Sequence, residues 1–163
     1  MKTSAIYAGS FDPITLGHIN VIRKALTLFD AVTVSVGINP KKTGLFSPVE
    51  RVALIKKSLD ETLPDDLHRL MVTHYHGGLA EHARERGATH IVRGLRQISD
   101  FNDEFTLNGV LQRIAPDVPV VHLICEEQFL HVSSSTAREL AKLKADISWL
   151  VSPVVEQALR DTS

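Results

Sequence analysis

Apolar residues in this chain follow two alternating rhythms, and that alternation limits the fold more than any other feature. Short apolar runs occupy Thr3 to Ala8, Ala31 to Gly37, Leu70 to Tyr75, His90 to Val92 and Val120 to Ile124. They lack strict in–out alternation, as strands do when both faces of a parallel sheet are covered. Between them the apolar period becomes helical. Ile19, Ile22, Leu26 and Phe29 form one stripe. Ser47-Pro48-Val49-Glu50 is a capping box with proline at the first helical position, and Val49, Val52, Ile55 and Leu59 supply the apolar face behind it. Leu79 to Arg86 reads as a third helix stopped by Gly87. Phe101, Phe105, Val110 and Ile114 mark a fourth ended by Pro116, Thr136 to Leu143 is a fifth, and Ser152-Pro153 opens a last one.

Strand and helix in repetition, joined by right-handed crossovers, predict an α/β chain. The expected architecture is a single Rossmann-like, doubly wound domain spanning 1–163, with a five-stranded parallel sheet and helices on both faces. Ligands of such sheets sit at the carboxyl ends of the strands. No repeat, low-complexity tract or linker interrupts the pattern. Basic residues number 18 against 19 acidic ones, a net charge of -1. That balance argues against nucleic acid as a partner and leaves phosphate chemistry to a few placed cations. The single cysteine, Cys125, follows an apolar run and reads as a small core residue. No apolar run approaches membrane-spanning length, and the N-terminus lacks a signal-peptide core, so a cytoplasmic protein without a membrane partner is expected.

The segment Gly9-Ser10-Phe11-Asp12-Pro13-Ile14-Thr15-Leu16-Gly17-His18 leaves the first strand and enters the first helix. Gly9 and Gly17 let backbone approach a ligand closely. A helix N-terminus presents unpaired N–H groups and partial positive charge, which favours phosphate. His18 stands in that anion site, able to donate hydrogen bonds to oxygens that gain charge during phosphoryl transfer, and Ser10 is placed to orient an incoming phosphate. The segment is neither a G-x-G-x-x-G fingerprint nor a P-loop.

Thr15-Leu16-Gly17-His18 resembles the (H/T)xGH signature of the nucleotidylyltransferase superfamily, and Gly-x-Phe-Asp-Pro-x-Thr-x-Gly-His is similar to the bacterial phosphopantetheine adenylyltransferases. Three further anchors match in order and spacing. The residues alone leave Lys41 and Lys42 equivalent after the second strand; the resemblance singles out Lys42 as the acceptor-phosphate ligand. Arg93-Gly94-Leu95-Arg96 forms a fork of guanidiniums suited to phosphate oxygens; the resemblance implies that Arg93 meets the acceptor and Arg96 the ATP phosphates. Ser133-Ser134-Ser135 caps a helix and offers a second phosphate cradle, followed by Arg138-Glu139.

The resemblance implies adenylyl transfer from ATP to 4'-phosphopantetheine, giving dephospho-coenzyme A and pyrophosphate. Catalysis would rest on His18 with Ser10, Lys42 and Arg93. ATP would meet Ser10, Phe11, His18, Gly94, Leu95, Arg96, Glu104 and the stretch Phe129, Leu130, His131, Val132, Ser133, Ser134 and Ser135; the acceptor would meet Ser10, Lys42, Leu79 and Arg93. No metal ligand set is assigned: His74 and His76 share one strand face without a further ligand, and Mg²⁺ is expected to arrive with ATP. A homohexamer with coenzyme A as a feedback ligand is implied as well. Asp103 stands where the family carries an aromatic, Leu111 where it carries an amide, and His131 where it carries an aromatic. Two other readings stay open at this level: a nicotinamide mononucleotide adenylyltransferase or cytidylyltransferase of the same superfamily, and a non-catalytic ATP-binding module.

Overall fold

The structure, a computed structural model, describes residues 2–41 and 43–162. Along the chain run β1 (Ser4–Gly9), α1 (Leu16–Leu28), β2 (Ala31–Gly37), α2 (Pro48–Thr62), β3 (Leu70–Tyr75), α3 (Leu79–Glu85), β4 (His90–Leu95), α4 (Ile98–Ile114), β5 (Val120–Ile124), α5 (Ser134–Lys142) and α6 (Pro153–Asp161). The five strands form one sheet in the order β3-β2-β1-β4-β5, and every pairing is parallel. This is the doubly wound α/β architecture that the alternating pattern implies.

Alternate residues of β1 and β4 feed two cores on opposite faces of the sheet. Tyr7, Val34 and Val92 pack with Ile22 and Ala25 of α1, Ile55 and Leu59 of α2, and Val155 and Leu159 of α6. Ile6, Ala8 and Ile91 pack with Ala80 and Ala83 of α3 and Leu111 of α4. The helix-start signal at Ser47 holds, and the structure adds a second at Thr15, which caps α1; each is a reciprocal capping box. Gly87 takes the left-handed conformation (φ 62°) after α3, as a helix-stopping glycine does.

Four expectations are corrected. The fourth strand does not end at Val92; it runs on through Arg93, Gly94 and Leu95, which pair with His122, Leu123 and Ile124 of β5. Arg93 is therefore a strand residue with its direction fixed by the sheet. The stripe that marked α4 is not its buried face: Phe101, Phe105, Val110 and Ile114 are all at least half exposed, while Leu111 is 3% exposed. The inward side of α4 also carries Glu104, so its apolar residues spread to both flanks. Val49 is likewise exposed, and the first turn of α2 buries Arg51 instead. α5 starts two residues before Thr136, with Ser133 as its cap.

Candidate active site

β1 lies at the centre of the sheet, with β2 on one side and β4 on the other. At the carboxyl ends of β1 and β4 the chain encloses a cavity of about 410 Å³. Two walls define it, one built from the segment between β1 and α1, the other from β4 and α4.

The first wall is held by hydrogen bonds to the segment that leads into α2. Phe11 adopts positive φ (44°) and buries its ring edge-on against Tyr7 and His18, with centroids 5.3 and 5.0 Å away. The Asp12 carboxylate turns away from the cavity and accepts the backbone N–H groups of Leu45 and Phe46 at 2.8 and 2.9 Å. Arg51 lies 3.3 Å from it and donates to the carbonyls of Phe46 and Ser10. A Cβ at Gly44 would fall 1.6 Å from the Arg51 guanidinium, so only glycine fits beside this clamp.

Thr15 and His18 fix the reactive end of the wall. The Thr15 N–H donates to His18 Nδ1 at 3.0 Å. A backbone N–H can only donate, so Nδ1 is the unprotonated nitrogen and the ring proton sits on Nε2. Burial, with the positive charge of Arg96 adding to it, lowers the His18 pKa to about 4. His18 is thus a neutral hydrogen-bond donor at neutral pH, with its acceptor nitrogen already spent. Burial also raises the Tyr7 phenol above its ordinary range and keeps it protonated.

The second wall is built from charge pairs between separate elements. Arg93 donates from Nε and Nη2 to the two oxygens of Glu104, at 2.8 and 2.5 Å, and from Nη1 to the Ala8 carbonyl at 3.0 Å. A guanidinium has five N–H groups. Three are committed here, so Arg93 is held by its own wall while donors remain on both terminal nitrogens. Gly94 follows it because a Cβ there would press on Val21 at 2.9 Å. Arg96 donates to the Val132 carbonyl at 3.1 Å and lies 3.4 Å from Asp100, whose carboxylate also accepts the Arg96 N–H.

The start of α5 closes the cavity from the side. Ser133 accepts from the Thr136 N–H at 3.1 Å, Ser134 donates to the Pro13 carbonyl at 2.7 Å, and Arg138 donates to the Asp12 carbonyl. The serine turn is thereby stitched to the first wall.

Of the residues expected at the site, Ser10, Phe11, His18, Arg93, Gly94, Arg96, Glu104, Val132, Ser133, Ser134 and Ser135 all line this one cavity. Glu104, expected at ATP, has both oxygens on Arg93. Leu95 is buried behind the strand end, Phe129 and Leu130 pack against the larger core, and His131 is exposed; none of them lines the cavity. Leu79 packs with Tyr75 on the smaller core and does not line the cavity. Lys42 lies outside the described residues. Of the positions that depart from the family, Asp103 lines the cavity whereas Leu111 is core. Sequence reasoning gave no role to Tyr7, which sits inside an apolar run, or to Arg51, which follows a helix cap; neither carries a local signal for the site.

The cytidylyltransferase-like family model matches residues 6–140. A phosphopantetheine adenylyltransferase of Thioalkalivibrio sulfidiphilus is 42% identical over 160 residues, covering 98% of each chain. One from Roseiflexus sp. is 41% identical over 158 residues, covering 97% of this chain and 96% of its own. Among solved structures, the nicotinic acid mononucleotide adenylyltransferase of Plasmodium falciparum complexed with NaAD superposes with a TM-score of 0.70 at 15% identity, over 99% of this chain and 96% of that one, a likeness of fold. With a cavity that gathers the Gly-His, Arg-Gly-Leu-Arg and triple-serine segments, and relatives alike from end to end, the chain belongs to the phosphopantetheine adenylyltransferases of the cytidylyltransferase-like family.

Proposed function

We propose that this chain transfers the adenylyl group of ATP to 4'-phosphopantetheine, giving dephospho-coenzyme A and pyrophosphate. The observation that carries the reading is the neutral, Nε2-protonated His18 in one cavity with two arginines, Arg93 and Arg96, each anchored by protein partners.

In this reading an oxygen of the acceptor phosphate attacks the α-phosphorus of ATP. The bond to the pyrophosphate oxygen breaks opposite it, and no covalent enzyme intermediate is required. Arg93, with Ser10 and Lys42, holds the attacking phosphate. Arg96 and the Ser133 to Ser135 turn hold the β- and γ-phosphates of the leaving group. His18 donates from Nε2 to the α-phosphate oxygens as their charge grows, and it donates without first losing or gaining a proton. The rigid walls supply positioning, the other main source of rate in phosphoryl transfer. Mg²⁺ bound with the nucleotide would offset phosphate charge, while Asp100 is engaged by Arg96.

Glu104 serves the acceptor side through Arg93, and Leu79 lies toward the pantetheine arm. Feedback by coenzyme A would use the same cleft, since that molecule carries both the pantetheine and the adenylyl moieties. A homohexamer belongs to this reading too. The exposed Phe101, Phe105, Val110 and Ile114 on α4 support an assembly that covers them. So does a cytoplasmic location: no described helix is long and apolar enough to cross a membrane.

Pyrophosphate release from ATP and Mg²⁺ tests the proposal, with 4'-phosphopantetheine, nicotinamide mononucleotide and glycerol 3-phosphate as rival acceptors. Release with phosphopantetheine alone is expected. Release with another acceptor instead would move the chain to a sister activity, and ATP binding without release would make it a non-catalytic module.

A further inference from the structure

The acceptor-side wall contains polar atoms that the mechanism above does not use. Arg93 and His122 are register partners on β4 and β5, so their side chains stand side by side on the face of the sheet that α4 covers. Glu104 reaches down from α4 onto Arg93, and its Oε2 lies 3.7 Å from His122 Nε2. That distance is too long for a hydrogen bond and short enough for an ion pair. Among the described residues, His122 Nε2 is buried and has no hydrogen-bond partner, and Asn108 Oδ1, one helical turn beyond Glu104, is in the same condition. Buried polar atoms without partners are rare, and each calls for an explanation.

The electrostatics supply one. With His122 neutral, the Arg93–Glu104 pair sums to zero charge, so a phosphate approaching Arg93 meets a carboxylate directly behind its cation. A proton on Nε2 changes that balance: the imidazolium donates to Glu104 Oε2 and offsets the carboxylate. The side chains of Arg93, Glu104 and His122 are 23%, 12% and 24% exposed, which keeps water from screening the exchange fully. Among the described residues, the charged groups facing His122 are Arg93 from β4 and Glu104 from α4. Asp100 and Asp103 lie nearer the cavity on α4. From α1, on the opposite face of the sheet, Lys24 reaches the Ile124 carbonyl at the strand end.

We propose that His122 is a positioning residue for the acceptor phosphate, acting through Glu104 on Arg93: phosphate arriving at Arg93 draws a proton from solvent onto His122, which then donates to Glu104 Oε2. Acceptor binding and proton uptake are thereby linked, and each favours the other. The inference rests on the adenylyl-transfer reading only in taking Arg93 as the phosphate site.

The test compares wild type with His122→Phe and His122→Gln at about pH 6 and about pH 8.5, on either side of the ordinary histidine range. The acceptor's own phosphate titrates in all three proteins and cancels in the ratio of variant to wild-type KM. That ratio for phosphopantetheine is expected to be about fivefold larger at the lower pH than at the higher, for both variants, while the same ratio for ATP shows no such split. Calorimetric titration of phosphopantetheine in two buffers of different ionisation enthalpy is expected to show proton uptake by wild type that both variants lose. A pH-independent ratio, or equal proton uptake in all three, overturns the inference even if the enzyme is fully active. Linked binding without pyrophosphate release would uphold His122 and sink the adenylyl-transfer reading, and a chain that neither binds nor turns over phosphopantetheine overturns both.

Discussion

The two walls of the cleft reach the same end by opposite means. The reactive end of the wall between β1 and α1 is tied at short range: Thr15 caps His18 and His18 caps Thr15, three residues apart, while Ser10 and Asp12 ahead of it are held from Leu45, Phe46 and Arg51. The wall of β4 and α4 is tied at longer range, with Arg93 bound to Glu104 eleven residues later and to Ala8 eighty-five residues earlier. One wall presents a neutral donor whose protonation is settled by a backbone N–H. The other presents a charge whose strength depends on a neighbouring carboxylate. A site that must bind anions and also stabilise a developing charge gains from both kinds of group, because the first does not titrate near neutrality and the second can be tuned.

Substitutions on each wall sharpen that contrast. His18→Ala is expected to lower kcat by about 10² to 10³, the cost of losing one donor to a developing oxyanion, with little change in ATP KM. Pyrophosphate-release kinetics would show it, and an equal loss in binding and turnover would break the distinction. Glu104→Ala should raise the acceptor KM about tenfold and leave ATP KM nearly unmoved, because Arg93 loses the two charge-assisted hydrogen bonds that orient it, a loss larger than the relief from the carboxylate's opposing charge. The same change should lower stability by about 2 kcal/mol in urea denaturation, since a half-buried guanidinium is left with one partner.

The pH response of stability separates the walls as well. His18 carries a folded-state pKa of about 4, below the value of about 6.5 for an unfolded histidine. Between those two values the unfolded chain binds the extra proton, so His18 makes stability fall as pH drops from about 6.5 to about 4. His18→Gln should flatten that limb in denaturation curves measured across the window. The smallest effect is expected at Phe105→Ser on α4. With Phe105 69% exposed, the change should move the stability of an isolated protomer by less than about 0.5 kcal/mol. A larger loss that depends on protein concentration would mean that this flank of α4 is covered in solution.

The same contrast explains what could be read from the sequence. Strand and helix positions followed from periodicity, and the capping box at Ser47 marked a helix start, because those signals lie within a few residues. The phosphate-facing segments of the first wall and of α5 were legible for the same reason. What escaped was long-range pairing. Glu104 was visible as a residue of interest, but nothing near it in the chain indicates that both of its oxygens belong to Arg93. His122 lies inside an apolar run and gains meaning only from the register that sets it beside Arg93. On α4, a pattern of aromatics at helical spacing pointed to a buried face, whereas burial there is governed by which side carries the glutamate. Arg51 is a similar case: its partners Asp12 and Ser10 lie some forty residues away, so no window on the sequence contains the clamp.

The placing of β1 next to β4 has a consequence for how the protein acquires its site. Ala5 to Tyr7 pair with His90 to Val92, a junction that joins the first strand to one made some eighty-five residues later. Neither half of the chain holds a complete cleft, and no partly folded form that lacks this junction can bind both substrates. Closing so long a loop is slow relative to forming helices and local turns. Nucleotide binding during refolding should therefore appear with the last cooperative phase rather than the first, and bound ligand should protect amides across the whole sheet instead of only those lining the cleft.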